Sequence, residues 1–229
     1  MNSGTLAAIV AVLLVIILLL GLLVRYQERV IFPGTKLPAD YRFIEEPGLQ
    51  ETTIAVDGAH LSALHYRQPD ARGLIFFLHG NAGNLATWVP DVDFYREEKY
   101  DLFMLDYRGY GKSTGNIESQ AQLEQDVLTA WQSVAPDYQA RDLPLVIYGR
   151  SIGTYFAARL ALQAKPDQLV LVSPYTSLLA MARKRFPGVP TSLVRYPLDT
   201  DKIIPQLNCP VLLLLGGNDA LIPVDHAHS

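Results

Sequence analysis

Residues 143–165 read LPLVIYGRSIGTYFAARLALQAK, and the centre of this run is Gly149-Arg150-Ser151-Ile152-Gly153. Four apolar residues precede the first glycine, as in a short strand buried on both faces. Small and apolar residues at helical spacing follow the second. A serine held between them sits on a sharp strand-to-helix turn. Such a turn forces the serine backbone into a strained conformation and lifts its Oγ clear of the sheet, while the flanking glycines let neighbouring backbone approach without a Cβ clash. The N-terminal amides of the following helix point to where negative charge would develop. A tight turn with a structural serine would use the same residues. The position between a buried strand and a helix favours a nucleophile.

Outward from this turn the pattern repeats. GLIFFLHG (73–80), YDLFMLDYRG (100–109), DQLVLVSP (167–174) and CPVLLLLGGND (209–219) are short apolar runs that end in turn residues. They predict strands of a parallel sheet covered on both faces. Helices are predicted around 86–98, 118–135 and 153–165. The alternation predicts right-handed crossovers and a doubly wound α/β sheet, with ligands bound beyond the carboxyl ends of the strands. Before these, QETTIAV and HLSALHYR flank Asp57-Gly58, a hairpin signal. Pro33, Gly34, Pro38, Pro47 and Gly48 mark residues 30–49 as an extended linker onto the domain.

The N-terminus differs in kind. From Leu6 to Val24 the sequence LAAIVAVLLVIILLLGLLV carries no charge and no proline. About 20 apolar helical residues match the ~30 Å hydrocarbon core of a bilayer. Arg25, Tyr26 and Arg29 follow as interfacial anchors. A cleaved signal peptide would have a shorter apolar core after a basic start, whereas MNSGT has no basic side chain. Residues 1–29 are therefore expected to be a single-pass transmembrane anchor, residues 30–49 a linker and residues 50–229 one domain. By the positive-inside rule, Arg25 and Arg29 favour a cytoplasmic domain. The net charge of −4 over 229 residues excludes nucleic acid as the main partner. The single cysteine, Cys209, excludes an internal disulfide and a multi-cysteine metal cluster, and is expected to be a buried, unreactive thiol. No cofactor or metal is expected.

Several segments together carry a family resemblance: His79-Gly80-Asn81-Ala82-Gly83-Asn84, Asp106-Tyr107-Arg108-Gly109-Tyr110-Gly111-Lys112-Ser113, the GRSIG turn, Ser173-Pro174-Tyr175-Thr176-Ser177-Leu178, and Gly216-Gly217-Asn218-Asp219 before Ile222-Pro223. From about residue 50 onward the chain resembles the α/β hydrolases, specifically the membrane-anchored serine hydrolases of the bud-emergence type. The resemblance implies Ser151 as catalytic nucleophile. It implies an oxyanion hole from the backbone N–H groups of Ile152, the residue after the nucleophile, and Asn81. His79 would brace its loop, and Asp106 and Arg108 would brace the site without touching substrate.

In this fold the triad runs Ser, Asp or Glu, then His along the chain, which assigns Asp219 as the acid. The family places its base after one further strand, so His226 and His228 are poor candidates. The sequence is expected to lack the last strand, the base and the closing helix, and to be nearly inactive as it stands, because a serine without a base keeps its proton. Residues 177–200 fall where the fold carries its cap. There Phe186, Leu193, Val194 and Tyr196, mixed with Arg183, Lys184, Arg185 and Arg195, fit an acyl pocket or surface packing equally well. The expected function is hydrolysis of an ester, thioester or amide on a small-molecule or acylated substrate near the membrane. The alternative is a membrane-anchored binding or scaffold protein that keeps the fold without the chemistry.

Overall fold

The computed structural model describes residues 2–89, 92–185 and 190–216. Helix α1 (Ser3–Arg25) is followed after one residue by α2 (Gln27–Ile31). The hairpin β1 (Leu49–Val56) and β2 (Ala59–Tyr66) leads to β3 (Gly73–Leu78), α3 (Leu85–Trp88), α4 (Val92–Glu98) and β4 (Tyr100–Leu105). Helix α5 (Gln120–Gln139), β5 (Leu145–Arg150), α6 (Gly153–Ala164), β6 (Gln168–Val172), α7 (Leu178–Arg185) and β7 (Val211–Leu214) complete the described elements, with two short 3₁₀ turns between α7 and β7.

The seven strands form one sheet in the order β1-β2-β4-β3-β5-β6-β7. Strands β1 and β2 pair antiparallel, as do β2 and β4; all pairs from β4 through β3 to β7 are parallel. This is the α/β-hydrolase arrangement expected from the sequence. The central strands alternate between two cores because successive side chains point to opposite faces. Phe76 stacks on Phe103 at 5.3 Å and meets the edge of Trp131 from α5, whereas its neighbour Phe77 stacks on Tyr148 at 4.8 Å. The first core holds α5 and α6; the second holds Leu64, Leu102, Met104 and Tyr95 of α4. Order reverses at β3, since β4 lies on one side of it and β5 on the other. The carboxyl ends of β3 and β5, paired at Leu78 and Gly149, therefore open onto the crevice where such sheets bind ligands.

Two helices depart from their predicted limits. The single helix expected over 86–98 is split into α3 and α4. Val89 precedes Pro90 and takes ψ 112°, because a residue before proline is driven out of the helical region. Helix α5 instead runs on through Pro136 to Gln139. The lost intrahelical bond is tolerated there because the last turn delivers Tyr138 into the core. The Tyr138 hydroxyl donates to Asp101 Oδ2 at 2.5 Å and accepts from His65 Nε2 at 2.9 Å.

Helix α1 buries none of its residues and is long and apolar enough to cross a membrane. Residues 32–37 lie on the domain. Phe32 is buried with its ring edge-on to Tyr196 at 5.2 Å, and Gly34 and Lys36 form bridges to Gly83 and Gly111. Cys209 is partly rather than fully buried, packed against the main core, and burial pushes its thiol up.

Burial, then the neighbouring Arg67, pushes the His65 imidazole down to about 4, against a smaller opposing pull from Asp137. Its Nδ1 accepts from Arg67 Nε at 3.3 Å, so a second proton there would meet a donor. Between pH 6.5 and about 4 the unfolded chain binds a proton that the folded chain refuses, and stability falls with pH across that window. The full shift corresponds to about 3 kcal/mol. His65→Gln keeps an N–H for Tyr138 but cannot titrate. Urea denaturation should show wild type losing stability relative to this variant from pH 6.5 down to 4; a difference independent of pH would contradict this origin.

Candidate active site

Ser151 stands between the last residue of β5 and the first turn of α6 with φ +52°, the left-handed region that costs a residue with a Cβ about 1–2 kcal/mol. Hydrogen bonds hold it there. Its N–H donates to Val172 O at 2.9 Å, and its carbonyl accepts from the Thr154 N–H at 2.9 Å and the Thr154 hydroxyl at 2.6 Å. The flanking glycines are required by contact. A Cβ on Gly149 would lie 2.6 Å from both the Ala157 Cβ and the Gly153 carbonyl oxygen. A Cβ on Gly153 would overlap the Leu78 carbonyl oxygen and sit 2.7 Å from that of His79. Helix α6 thus presses its first turn directly onto the end of β3.

That contact brings the loop after β3 to the serine. A Cβ built on Gly80 would lie 3.7 Å from the Ser151 Cβ and 2.7 Å from the Trp88 ring. The loop is pinned from below. His79 is fully buried, and its Nδ1 meets Gly80 O at 2.7 Å. A carbonyl only accepts, so Nδ1 carries the proton, and Nε2 faces Asp106 Oδ1 at 3.4 Å without the alignment of a hydrogen bond. Asp106 Oδ1 also accepts the Leu85 N–H at 2.9 Å. Burial pushes the Asp106 carboxyl up, with His79 and the Leu85 N–H opposing. The Tyr107 hydroxyl donates to His79 O at 3.0 Å and the Tyr110 hydroxyl to Asn81 O at 2.7 Å. Arg108 grips Asp126 of α5 through two hydrogen bonds, of 2.5 and 2.8 Å, and donates to Asp57 O at the hairpin turn. His79 and Asp106 therefore hold the loop directly, and Arg108 ties the segment that carries Asp106 to α5 and the hairpin turn.

The backbone N–H groups of Ile152 and Asn81 find no acceptor among the described residues. They belong to the two chain segments that meet beside Ser151. Asn84 caps α3 by accepting the Ala86 N–H at 3.0 Å, which is turn chemistry. Asp219, His226 and His228 lie outside the described residues, as does Phe186. Of the histidines within them, His65 and His79 are bonded elsewhere and His60 is exposed on β2. No group of three His, Cys, Asp or Glu side chains among the described residues converges as a metal site requires.

The sequence did not disclose two features. Tyr110, one aromatic in a glycine-rich loop, sits directly under Asn81. Arg150 stacks over Trp88 at 5.2 Å, and Trp88 Nε1 donates to Ala82 O at 2.6 Å, which builds one wall beside the serine. Tyr196 does not face an acyl pocket. It is fully buried against Phe32, and its hydroxyl bonds Glu28 Oε1 at 2.9 Å.

A family model described as serine aminopeptidase, S33, matches residues 69–195. The chain is 29% identical to the protein bem46 of Schizosaccharomyces pombe, covering 93% of this chain and 76% of that protein. It is 32% identical to the α/β hydrolase domain-containing protein WAV2 of Arabidopsis thaliana, covering 90% and 75% respectively. Among solved structures it is similar in fold to an α/β hydrolase from Vibrio vulnificus (TM-score 0.63, 23% identity, 76% of this chain and 66% of that one). An esterase from Pyrococcus furiosus is likewise similar (TM-score 0.65, 19% identity, 86% and 82%).

The strain at position 151 is measurable. Ser151→Gly removes the Cβ that disfavours φ +52°, so it should exceed Ser151→Ala in stability by about 1 kcal/mol in urea titrations. Gly153→Ala should cost several times that, about 3 kcal/mol or more, because backbone and not a flexible side chain blocks the methyl group. Equal stability of the two Ser151 variants would show the turn to be relaxed.

Proposed function

Since the chain belongs to the bem46-type α/β hydrolases, within the serine aminopeptidase S33 family, we propose that it cleaves an ester, thioester or amide through an acyl intermediate on Ser151. The observation that carries this reading is the left-handed Ser151 held at the β5–α6 junction beside a loop whose Asn81 N–H meets no acceptor among the described residues. In the first step Ser151 Oγ attacks the carbonyl carbon and loses its proton to a base. The carbonyl oxygen becomes an oxyanion, and the Ile152 and Asn81 N–H groups stabilise it. One such donor is worth about 2.7–4 kcal/mol to the transition state. The tetrahedral species collapses, the leaving group departs with the proton, and water repeats the sequence on the acyl-serine. Asp219 is the carboxylate of this reading, and the base is a histidine that follows it in triad order.

Helix α1 is the membrane anchor in this reading. It is uncharged from Leu6 to Val24, and Arg25 and Arg29 lie over the Tyr26 ring at 5.7 and 5.0 Å, as interfacial groups do. Ile31, whose carbonyl lies 3.4 Å from the Asn81 side-chain nitrogen, follows Arg25 by six positions. At ~1.5 Å per helical residue this holds Ile31, which touches the loop of Asn81, within ~10 Å of the helix end. An acylated lipid or acylated protein at the bilayer surface is the substrate class that such a tether favours.

The protein, in a form that carries a histidine base on a further strand and loop after Asp219, should be treated in membranes with a fluorophosphonate probe and the adduct mapped by peptide mass spectrometry. The label should fall on Ser151, Ser151→Ala should abolish it, and removal of residues 1–25 should release the domain from membranes at high pH. Label elsewhere, or undiminished label in Ser151→Ala, would falsify the assignment.

A further inference from the structure

We propose that residues 27–37, the segment that leaves α1, form a strap that sets the oxyanion loop through Tyr110, making Tyr110 and Gly34 positioning residues for the chemistry at Ser151. The inference rests on the acyl-serine reading above and adds to it a mechanical link between the anchor and the site.

The strap is fixed at both ends. At its start Gln27 is 7% exposed; its Nε2 donates to Leu193 O at 2.5 Å and its Oε1 accepts the Arg195 N–H at 3.0 Å. Glu28 pairs with Arg195 at 2.5 Å and accepts the Tyr196 hydroxyl. Further along, the Thr35 N–H donates to Gly83 O at 3.0 Å, the Thr35 carbonyl accepts from Asn84 Nδ2 and from the Gly111 N–H, and Lys36 Nζ reaches Ser113 O at 2.7 Å. The strap thus joins the cap segment around Arg195, the loop after β3 and the loop after β4. Only Tyr26 separates it from α1.

Contact with Tyr110 gives this linkage a chemical consequence. A Cβ on Gly34 would lie 2.5–2.7 Å from three atoms of the Tyr110 ring, so the strap backbone lies flat on that ring. The ring is buried and its hydroxyl donates to Asn81 O. The peptide that carries the Asn81 N–H has its other end, Gly80 O, held by His79 Nδ1. The carbonyls on both sides of the Asn81 Cα are therefore anchored at 2.7 Å, one by His79 and one by Tyr110. The Asn81 N–H points opposite to the Gly80 carbonyl in the first plane, and holding the second plane through Tyr110 fixes the rotation of the chain at the Asn81 Cα. Preorganised donors act because they need no reorientation as charge develops. A loop with one plane free would lose rate in the chemical step and keep its affinity for the probe.

The test uses the same base-bearing form, in membranes or detergent. Fluorophosphonate inactivation should be resolved into a maximal rate and a half-saturating probe concentration. Tyr110→Phe, which keeps the ring and removes the hydroxyl, should lower the maximal rate about tenfold and leave the half-saturating concentration unchanged. Amide exchange should rise in residues 80–84 and not in β5. Gly34→Ala and the double variant Gln27→Ala/Glu28→Ala act on the strap from its two ends and should reproduce both changes. A Tyr110→Phe protein that labels at the wild-type maximal rate, or unchanged exchange in 80–84 in all three variants, overturns the proposal while leaving Ser151 as nucleophile. Wild-type protein that takes no label at Ser151 removes the underlying reading and the proposal with it.

Discussion

The carbonyl oxygen of Leu78 and the Cα of Gly153 approach so closely that no side chain fits between them. This contact joins the end of β3 to the first turn of α6, and the rest of the site follows from it. It fixes how far Ser151 stands from the loop that begins at His79. It also draws Gly80 to the serine, where a bare Cα is again needed, this time against the Trp88 ring. The sheet supplies the frame. With β4 and β5 on opposite sides of β3, the two loops that carry Ser151 and Asn81 leave adjacent strand ends. In the reading proposed above, the N–H groups of Ile152 and Asn81, which meet no acceptor among the described residues, serve one oxyanion.

Strain at the turn and the brace beneath the loop complement one another. A left-handed serine would relax if its surroundings allowed, so the bonds to Val172 and Thr154 must hold it. The loop opposite has no strand or helix of its own between His79 and Asn84, and it is fixed by buried side chains of the segment after β4. Tyr107, Tyr110 and Asp106 each bond it from below, and Arg108 ties that segment in turn to α5 through Asp126. Burying these polar groups is tolerated because nearly all of them meet a partner. The order runs from core to brace to loop to donor.

Much of this was legible in the sequence, and the rest was not for definite reasons. The strands stood out because the parallel ones are covered on both faces and are apolar throughout, and the elbow stood out because close backbone approach demands glycine at fixed spacing. The helix expected over 118–135 fell short of its observed end at Gln139, since the burial of Tyr138 outweighs the local penalty of Pro136. The strap was invisible because its bonds reach residues far along the chain, some through main-chain groups such as Thr35 N–H to Gly83 O that carry no residue-type signal. Tyr196 and Arg195 fitted a pocket or surface packing equally well, and they in fact close on Glu28, 168 positions from Tyr196, a pairing that no local pattern announces.

The most direct measurement is a crystal structure of the protein phosphonylated at Ser151. The phosphonyl oxygen mimics the oxyanion of the tetrahedral intermediate. It should lie ~2.7–3.1 Å from the backbone nitrogens of both Ile152 and Asn81. A phosphonyl oxygen turned to solvent, or an Ile152 N–H directed away from it, would contradict acyl transfer at this junction.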